Sequence, residues 1–221
     1  CPLRLQAELT ARLSRFDILS VREESGVAIC QAVGKEAVHV PDPTLLLAKE
    51  EYLSLSRDIP PSPSPYIFIY SINISSNEEI CWPELRGFTE REGLSLVVTP
   101  ASGYLPGREL FQGVEYRYAT IPEWLSLIRH SGLVVTTSFH GVAFCILFHK
   151  PFVYFPLSGT HAKGNSRVLN MLSKLSLSDN VWKAPGDFER IYHLPIDWDK
   201  IEESLAPLRE RSVTFLREAL K

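Results

Sequence analysis

The sequence predicts an α/β protein with a mostly parallel sheet and helices on its faces. Two observations carry that reading. Short β-favouring apolar runs alternate with segments of helical spacing along most of the chain, and such alternation implies parallel strands joined by helical crossovers. The clearest single case is the stretch 133–156, LVVTTSFHGVAFCILFHKPFVYFP, which reads as strand, tight turn, helix, strand.

In chain order, residues 2–15 form an amphipathic helix, with Leu3, Leu5, Leu9 and Leu13 as its buried side. Residues 18–21 form a short strand with Arg22 at its end. Residues 23–33 form a helix interrupted early by Gly26, and 37–40 a strand closed by Pro41-Asp42-Pro43. Two strands leave edges unsatisfied, and the chain starts with Cys1, so residues 1–48 are expected to be a partial N-terminal α/β segment with more chain ahead of it. Residues 49–65 turn charged and then proline-dense, which predicts an extended linker and a domain boundary.

A second α/β unit, 66–198, follows. Its elements are a strand at 66–72, a helix at 77–92 with Pro83 near its start and Gly93 at its end, and a strand at 94–99. A turn at 100–103, a loop at 104–113 and a short edge strand at 114–118 come next. A helix at 122–131 turns Trp124, Leu125 and Ile128 inward. The organising stretch contributes a strand at 133–135, a helix from Val142 to Phe148 and a strand at 152–155. Beyond it lie a polar loop at 158–164 and a helix at 166–175 with Val168, Leu169, Leu172 and Leu175 at helical spacing. Residues 182–196 are irregular, and 199–221 form a closing helix carrying Ile201, Leu205, Leu208, Phe215 and Leu216.

Composition excludes several functions. The 221 residues carry a formal net charge of -3, which gives no electrostatic case for nucleic acid. No apolar run approaches the ~18 residues that span a bilayer, and no charged-then-apolar leader opens the chain. Four cysteines form no CxxC pair, and the six histidines show no HExxH spacing, so neither a metal nor a cofactor is assigned. Reduced thiols and the missing leader point to the cytoplasm. Cys145, in an apolar run, reads as a small core residue.

His140 is the focal residue. A strand followed by a helix places the strand's C-terminal end and the helix's N-terminus at one sheet edge. Open α/β sheets bind ligands there, and helix amides attract anions. His140 therefore sits where a phosphate or carboxylate would arrive; the plainer alternative is a turn histidine bonded to backbone. Arg22 follows a strand directly and can reach over that strand's end, or else it pairs with Glu23 or Glu24 at the surface. Asp42 between prolines is a turn former or a ligand contact. Asn165 and Ser166 are candidate caps of the helix that follows them. Trp124 and the tyrosines near Tyr104 are candidates to line a sugar site, with core packing the stronger expectation for Trp124.

The segments TTSFHGVAFCILFHKPFV, SVREESG, DPTLL and NSRVLNMLSKLSL, in this order and spacing, resemble the polysaccharide pyruvyl transferase family. The resemblance implies a Rossmann-like, GT-B-like C-terminal domain plus a remnant of the N-terminal one, from a bacterial-type enzyme. It also implies transfer of pyruvate from phosphoenolpyruvate onto sugar hydroxyls of an oligosaccharide or lipid-linked saccharide in cell-surface or exopolysaccharide biosynthesis. His140 takes the general-acid role, and Arg22, Ser138, Phe139, Gly141, Lys163, Asn165 and Arg167 become substrate-binding candidates. The chain departs from the family pattern at Ser138, where many members carry arginine, and Lys163 or Arg167 must then supply the cation. The alternatives are a nucleotide-sugar glycosyltransferase on the same architecture, because fold does not fix chemistry, and a non-catalytic carbohydrate-binding relative.

Overall fold

A computed structural model of the chain describes residues 3–56, 65–101 and 109–221, without the side chains of Leu3 and Arg4. The chain forms two compact units: the residues up to Leu47 together with Glu202–Lys221, and Ala48–Ile201.

The first unit contains α1 (Leu3–Leu13), β1 (Ser20–Val21), α2 (Glu24–Gln31), β2 (Val38–His39) and the larger part of the C-terminal helix. β1 and β2 pair in parallel, Ser20 with Val38 and Val21 with His39. Two expectations are corrected here. Leu5 is exposed rather than buried. Gly26 does not interrupt α2 but lies inside it, where a Cβ would come within 3.0 Å of Val21 Cβ. The glycine is there to let helix and strand approach.

The second unit opens with α3 (Lys49–Leu55), which replaces the start of the expected linker. Its charged residues face solvent, and Tyr52 packs edge-on to Phe144 at 4.9 Å, so tertiary contact makes a helix of a weakly patterned segment. The proline-dense residues 57–64 lie outside the described residues, as do 102–108, which include the expected turn at Gly103 and Tyr104.

Five parallel strands then form one sheet: β3 (Tyr66–Tyr70), β4 (Ser95–Val98), β5 (Glu115–Tyr116), β6 (Leu133–Thr136) and β7 (Phe152–Tyr154), in the spatial order β5-β4-β3-β6-β7. The chain builds outward from β3 in one direction through β4 and β5, then crosses back to place β6 on the other side of β3. The point of reversal, between β3 and β6, is the topological switch point, where the crevice outside the strands' carboxyl ends receives ligands in such sheets.

Burial on both faces explains why β3, β6 and β7 read as near-continuous apolar runs. Ile67, Ile69, Leu133, Val135 and Val153 pack with Leu85 and Phe88 of α4 (Trp82–Glu92) and with Phe188 and Ile191 of α8 (Asp187–Tyr192). The opposite face carries α5 (Ile121–His130) and α6 (Phe139–Leu147), which contact each other, and α7 (Asn165–Lys174) contacts α6. α8 lies in a region expected to be irregular. Its carboxylate Asp187 accepts from the amides of Lys183 and Ala184 and from Arg190 Nε, which folds six residues into a helix too short to show periodicity.

The single helix expected at 77–92 is broken. A 3-10 turn, Asn77–Ile80, precedes α4, and Cys81 between them takes the left-handed conformation with φ 51°. Leu169 on α7 is exposed, against expectation. α9 (Trp198–Ala219) runs through Pro207, and the unit boundary falls within it.

Candidate active site

Three loops at the C-terminal edge of the five-stranded sheet build the site: those following β3, β6 and β7. The corner after β6 is held by its own hydroxyls. Thr136 Oγ1 donates to Tyr70 O at 2.6 Å and accepts from Ser138 N at 3.0 Å. Thr137 Oγ1 donates to Ile72 O and accepts from Ile72 N, both at 2.8 Å, which clamps the loop after β3 to the corner. Ser138 is the N-cap of α6, its hydroxyl accepting from Gly141 N at 3.4 Å. All three are buried, so Thr-Thr-Ser is a set of backbone partners. The amides of Ser138 and Gly141 are committed as well, to Thr136 Oγ1 and to Ser138 Oγ, and the glycine faces Thr136.

The helix begins three residues earlier than its apolar run, at Phe139. His140 is therefore the second residue of α6 rather than a member of the preceding turn, and its side chain is exposed. It stands at the switch-point edge, among first-turn amides that carry the helix's partial positive charge. The Phe139 ring meets His140 edge-on at 5.5 Å between centroids. Its face is covered by Arg167, whose guanidinium carbon lies 3.4 Å from the ring centroid. A planar cation stacked on an aromatic face is held in one orientation. Arg167 thus brings a fixed positive charge to the side chain next to His140.

Arg167 is set by the loop after β7. Asn165 Oδ1 accepts from Tyr154 OH at 3.0 Å and from Leu157 N at 2.8 Å, and its Nδ2 donates to Leu157 O at 2.8 Å. Neither Asn165 nor Ser166 caps α7, since the N-cap is Gly164. Asn165 is a clamp that fixes the start of the helix carrying Arg167. Burial pushes the Tyr154 phenol up to about 12, consistent with a hydroxyl committed to this bond. Lys163 is exposed in the 3-10 segment Gly159–Gly164 just before α7.

Glu79 was absent from the sequence-based candidates. Its carboxylate accepts from the amides of Ser75 and Ser76 and from Ser158 Oγ at 3.0 Å, tying the loop after β3 to the loop after β7. The Ser75 amide above all, with Ser158, Ser76 and the nearby His161 in support, holds its carboxyl below the usual range against a smaller opposing effect of burial. The Ser-x-x-Glu spacing at Ser76 and Glu79 was the available sequence signal.

Arg22 belongs to the other unit. It follows β1 as expected, but its partner is neither Glu23 nor Glu24. Its Nη1 donates to Asp42 Oδ2 at 3.1 Å, and the Asp42 side chain is only 4% exposed. Asp42 also accepts from Thr44 N and Thr44 Oγ1, so it is the turn former and Arg22 its countercharge. Trp124 packs edge-on against Tyr70 and Phe144, at 5.1 and 5.3 Å, as core rather than as a sugar platform.

Among the described residues no cluster of three or more His, Cys, Asp or Glu could hold a metal. No helix among them is long and apolar enough to cross a membrane.

The family described as Polysaccharide pyruvyl transferase matches residues 4–159, the N-terminal part of this chain. No curated protein matches in sequence. Similar solved structures include a Staphylococcus aureus MnaA–UDP complex, at 14% identity and TM-score 0.48, covering 92% of this chain and 61% of that one. The calicheamicin glycosyltransferase CalG4 is similar at 16% identity and TM-score 0.46, covering 73% of this chain and 44% of that one. The wall teichoic acid polymerase TagF is similar at 13% identity and TM-score 0.40, covering 99% and 62%. The chain thus spans less than two thirds of the length of each.

Proposed function

The chain belongs to the polysaccharide pyruvyl transferase family, and from that premise we propose that it transfers pyruvate from phosphoenolpyruvate to a pair of sugar hydroxyls, forming a cyclic ketal and releasing phosphate. The observation that carries this reading is the exposed His140 in the first turn of α6, with Arg167 stacked 3.4 Å over the neighbouring Phe139.

The chemistry needs a proton and a held anion. The enol methylene of phosphoenolpyruvate takes a proton from His140 and becomes the ketal's methyl group. The adjacent carbon becomes cation-like, and one sugar hydroxyl bonds to it. The carbon–oxygen bond to phosphate breaks, the second hydroxyl closes the ring, and phosphate departs. Two hydroxyl protons are released overall: one restores the imidazolium, and the other leaves with phosphate. A group titrating near neutrality suits the first step. The donor's carboxylate and phosphate need cations and amides. Arg167, Lys163 and the first-turn amides of α6 supply them on this sheet edge. Arg22 is an anion contact within its own unit, at the βα corner after β1, with part of its charge answered by Asp42. The acceptor is an oligosaccharide or a lipid-linked saccharide, and the setting is surface polysaccharide assembly in the cytoplasm.

The test is phosphate release from phosphoenolpyruvate by the protein that carries this chain, with a panel of oligosaccharide acceptors. Release that depends on the acceptor, with a ketal in the product, is expected. Turnover of a nucleotide sugar with none of phosphoenolpyruvate would replace this reading with glycosyl transfer. Binding of saccharide without any turnover would make the chain a non-catalytic relative.

A further inference from the structure

One of the cavities that the mechanism above does not use is at the same sheet edge as His140. It lies over the C-terminal ends of β3, β4 and β5, encloses about 240 Å³, and is lined by Ser71, Asn73, Thr99, Leu110, Phe111 and Tyr116 among others. None of the described residues that line it carries a charge. The cavity is therefore built for a neutral group and not for the phosphate or carboxylate of the donor. Its volume is below the roughly 300 Å³ at which pockets for drug-sized ligands begin. One six-membered ring fits within it.

Two hydroxyls distinguish this cavity from the rest of the edge. Thr136, Thr137 and Ser138 all have their hydroxyls in hydrogen bonds to backbone. Ser71 Oγ and Thr99 Oγ1 are buried with no hydrogen-bond partner among the described residues. Thr99 as a whole is 6% exposed. Buried hydroxyls without partners are costly and uncommon, and a site built to bind hydroxyls is one reason to keep them. Serine and threonine reach new partners by a single rotamer step about χ1. The apolar side is equally specific. Phe111 is wedged against Trp82 with ring centroids 5.0 Å apart, and its amide donates to Tyr116 OH at 2.9 Å, so the aromatic wall is held rigid. Asn77 Nδ2 fixes the rim through Leu110 O. Two hydroxyls that a rotamer step can turn toward the cavity, and aromatic side chains held in its lining, match a pyranose, which presents hydroxyls at its edge and C–H groups on its faces.

We propose that this cavity binds one neutral pyranose ring of the saccharide acceptor. As an acceptor subsite it rests on the pyruvyl-transfer reading; as a sugar site it stands on its lining alone. β4 and β6 flank β3, so the cavity lies about one to two strand spacings, ~5–10 Å, from the corner that starts α6. A saccharide that seats one ring there extends its next unit toward the corner that starts α6.

The test reads sugar and donor binding separately on the same chain. Methyl glycosides of galactose, glucose and mannose are titrated in saturation-transfer NMR, and phosphoenolpyruvate binding is followed by calorimetry. At least one glycoside is expected to bind. Thr99→Val combined with Ser71→Ala should weaken it at least about tenfold, the loss expected when hydrogen bonds to the ligand are removed. The same double variant should leave phosphoenolpyruvate binding unchanged and should not lower the melting temperature, since it removes only unpartnered hydroxyls. Ala101→Trp, which fills the cavity from its rim, should abolish glycoside binding if the double variant misfolds. Glycoside binding that survives both changes, or no glycoside binding by the unaltered chain, overturns the proposal. Glycoside binding lost in both variants while the unaltered chain ignores phosphoenolpyruvate upholds the sugar site and removes the donor reading instead.

Discussion

Gly141 lies so close to Thr136 that a Cβ on it would stand 3.1 Å from both Thr136 Cβ and Cγ2 and inside contact distance of Oγ1. Thr136 cannot give way, because its hydroxyl is held between Tyr70 O and Ser138 N. The start of α6 is thereby pressed onto the end of β6, and His140 takes its position from that contact. In the other unit, Gly26 meets Val21 in the same manner, also five residues beyond the strand residue it touches. Gly141→Ala should destabilise the chain by about 1–3 kcal/mol, the usual cost of overpacking. Thr136→Ala in addition should recover part of the loss. Denaturant unfolding of the two single variants and the double one tests this, and a simple sum of the two costs would refute the coupling.

His140→Gln keeps a hydrogen-bonding side chain and removes the acid. Turnover should fall ~10²–10⁴-fold, with the fold intact because the side chain is exposed. Phosphoenolpyruvate binding should change little. Near-normal turnover would make His140 a structural corner residue.

The stack of Arg167 on Phe139 separates charge from geometry. Arg167→Lys keeps the cation but loses the planar fork, and Phe139→Leu keeps the cation and loses the platform. Each should weaken phosphoenolpyruvate binding less than Arg167→Ala, by an interval on the order of the 0.5–2 kcal/mol of a cation–π contact. Equal affinities in all three variants would mean that Arg167 does not touch the donor.

Asn165 makes three hydrogen bonds with Tyr154 and Leu157. Asn165→Ala leaves the Leu157 amide and carbonyl without their partner, at about 1–3 kcal/mol. It also loosens the start of α7, so donor affinity should fall with stability. Asn165→Asp should recover the accepting bonds only. Unchanged melting of the alanine variant would contradict the clamp.

Alkaline pH should weaken the fold. Burial pushes the phenols of Tyr66 and Tyr154 up to about 12 from an ordinary 10.0. Below pH 10 both states keep these protons and the stability is complete. Above it the unfolded chain releases them first, so stability declines between pH 10 and 12. Phenolate absorbance should appear in two stages, exposed tyrosines first. Replacing Tyr66 and Tyr154 with Phe should flatten the decline, and an unaltered decline would assign it to other groups.

Local chemistry in the sequence was enough to determine the parallel α/β class, the strand–corner–helix around His140 and the family. Apolar runs without alternation, helical spacing and the glycine of the corner are visible one segment at a time. Tertiary structure decided the rest. α3 and α8 exist because Tyr52 and Asp187 find partners that no periodicity announces. Ser138, Asn165 and Asp42 take backbone and side-chain partners that no local pattern names. Arg167 comes to Phe139 only because Asn165 anchors α7 to the end of β7, 28 residues along the chain. Hydrogen bonds and stacking between segments distant in sequence have no local signature, so which polar residue is committed and which faces the ligand is settled only when the loops meet.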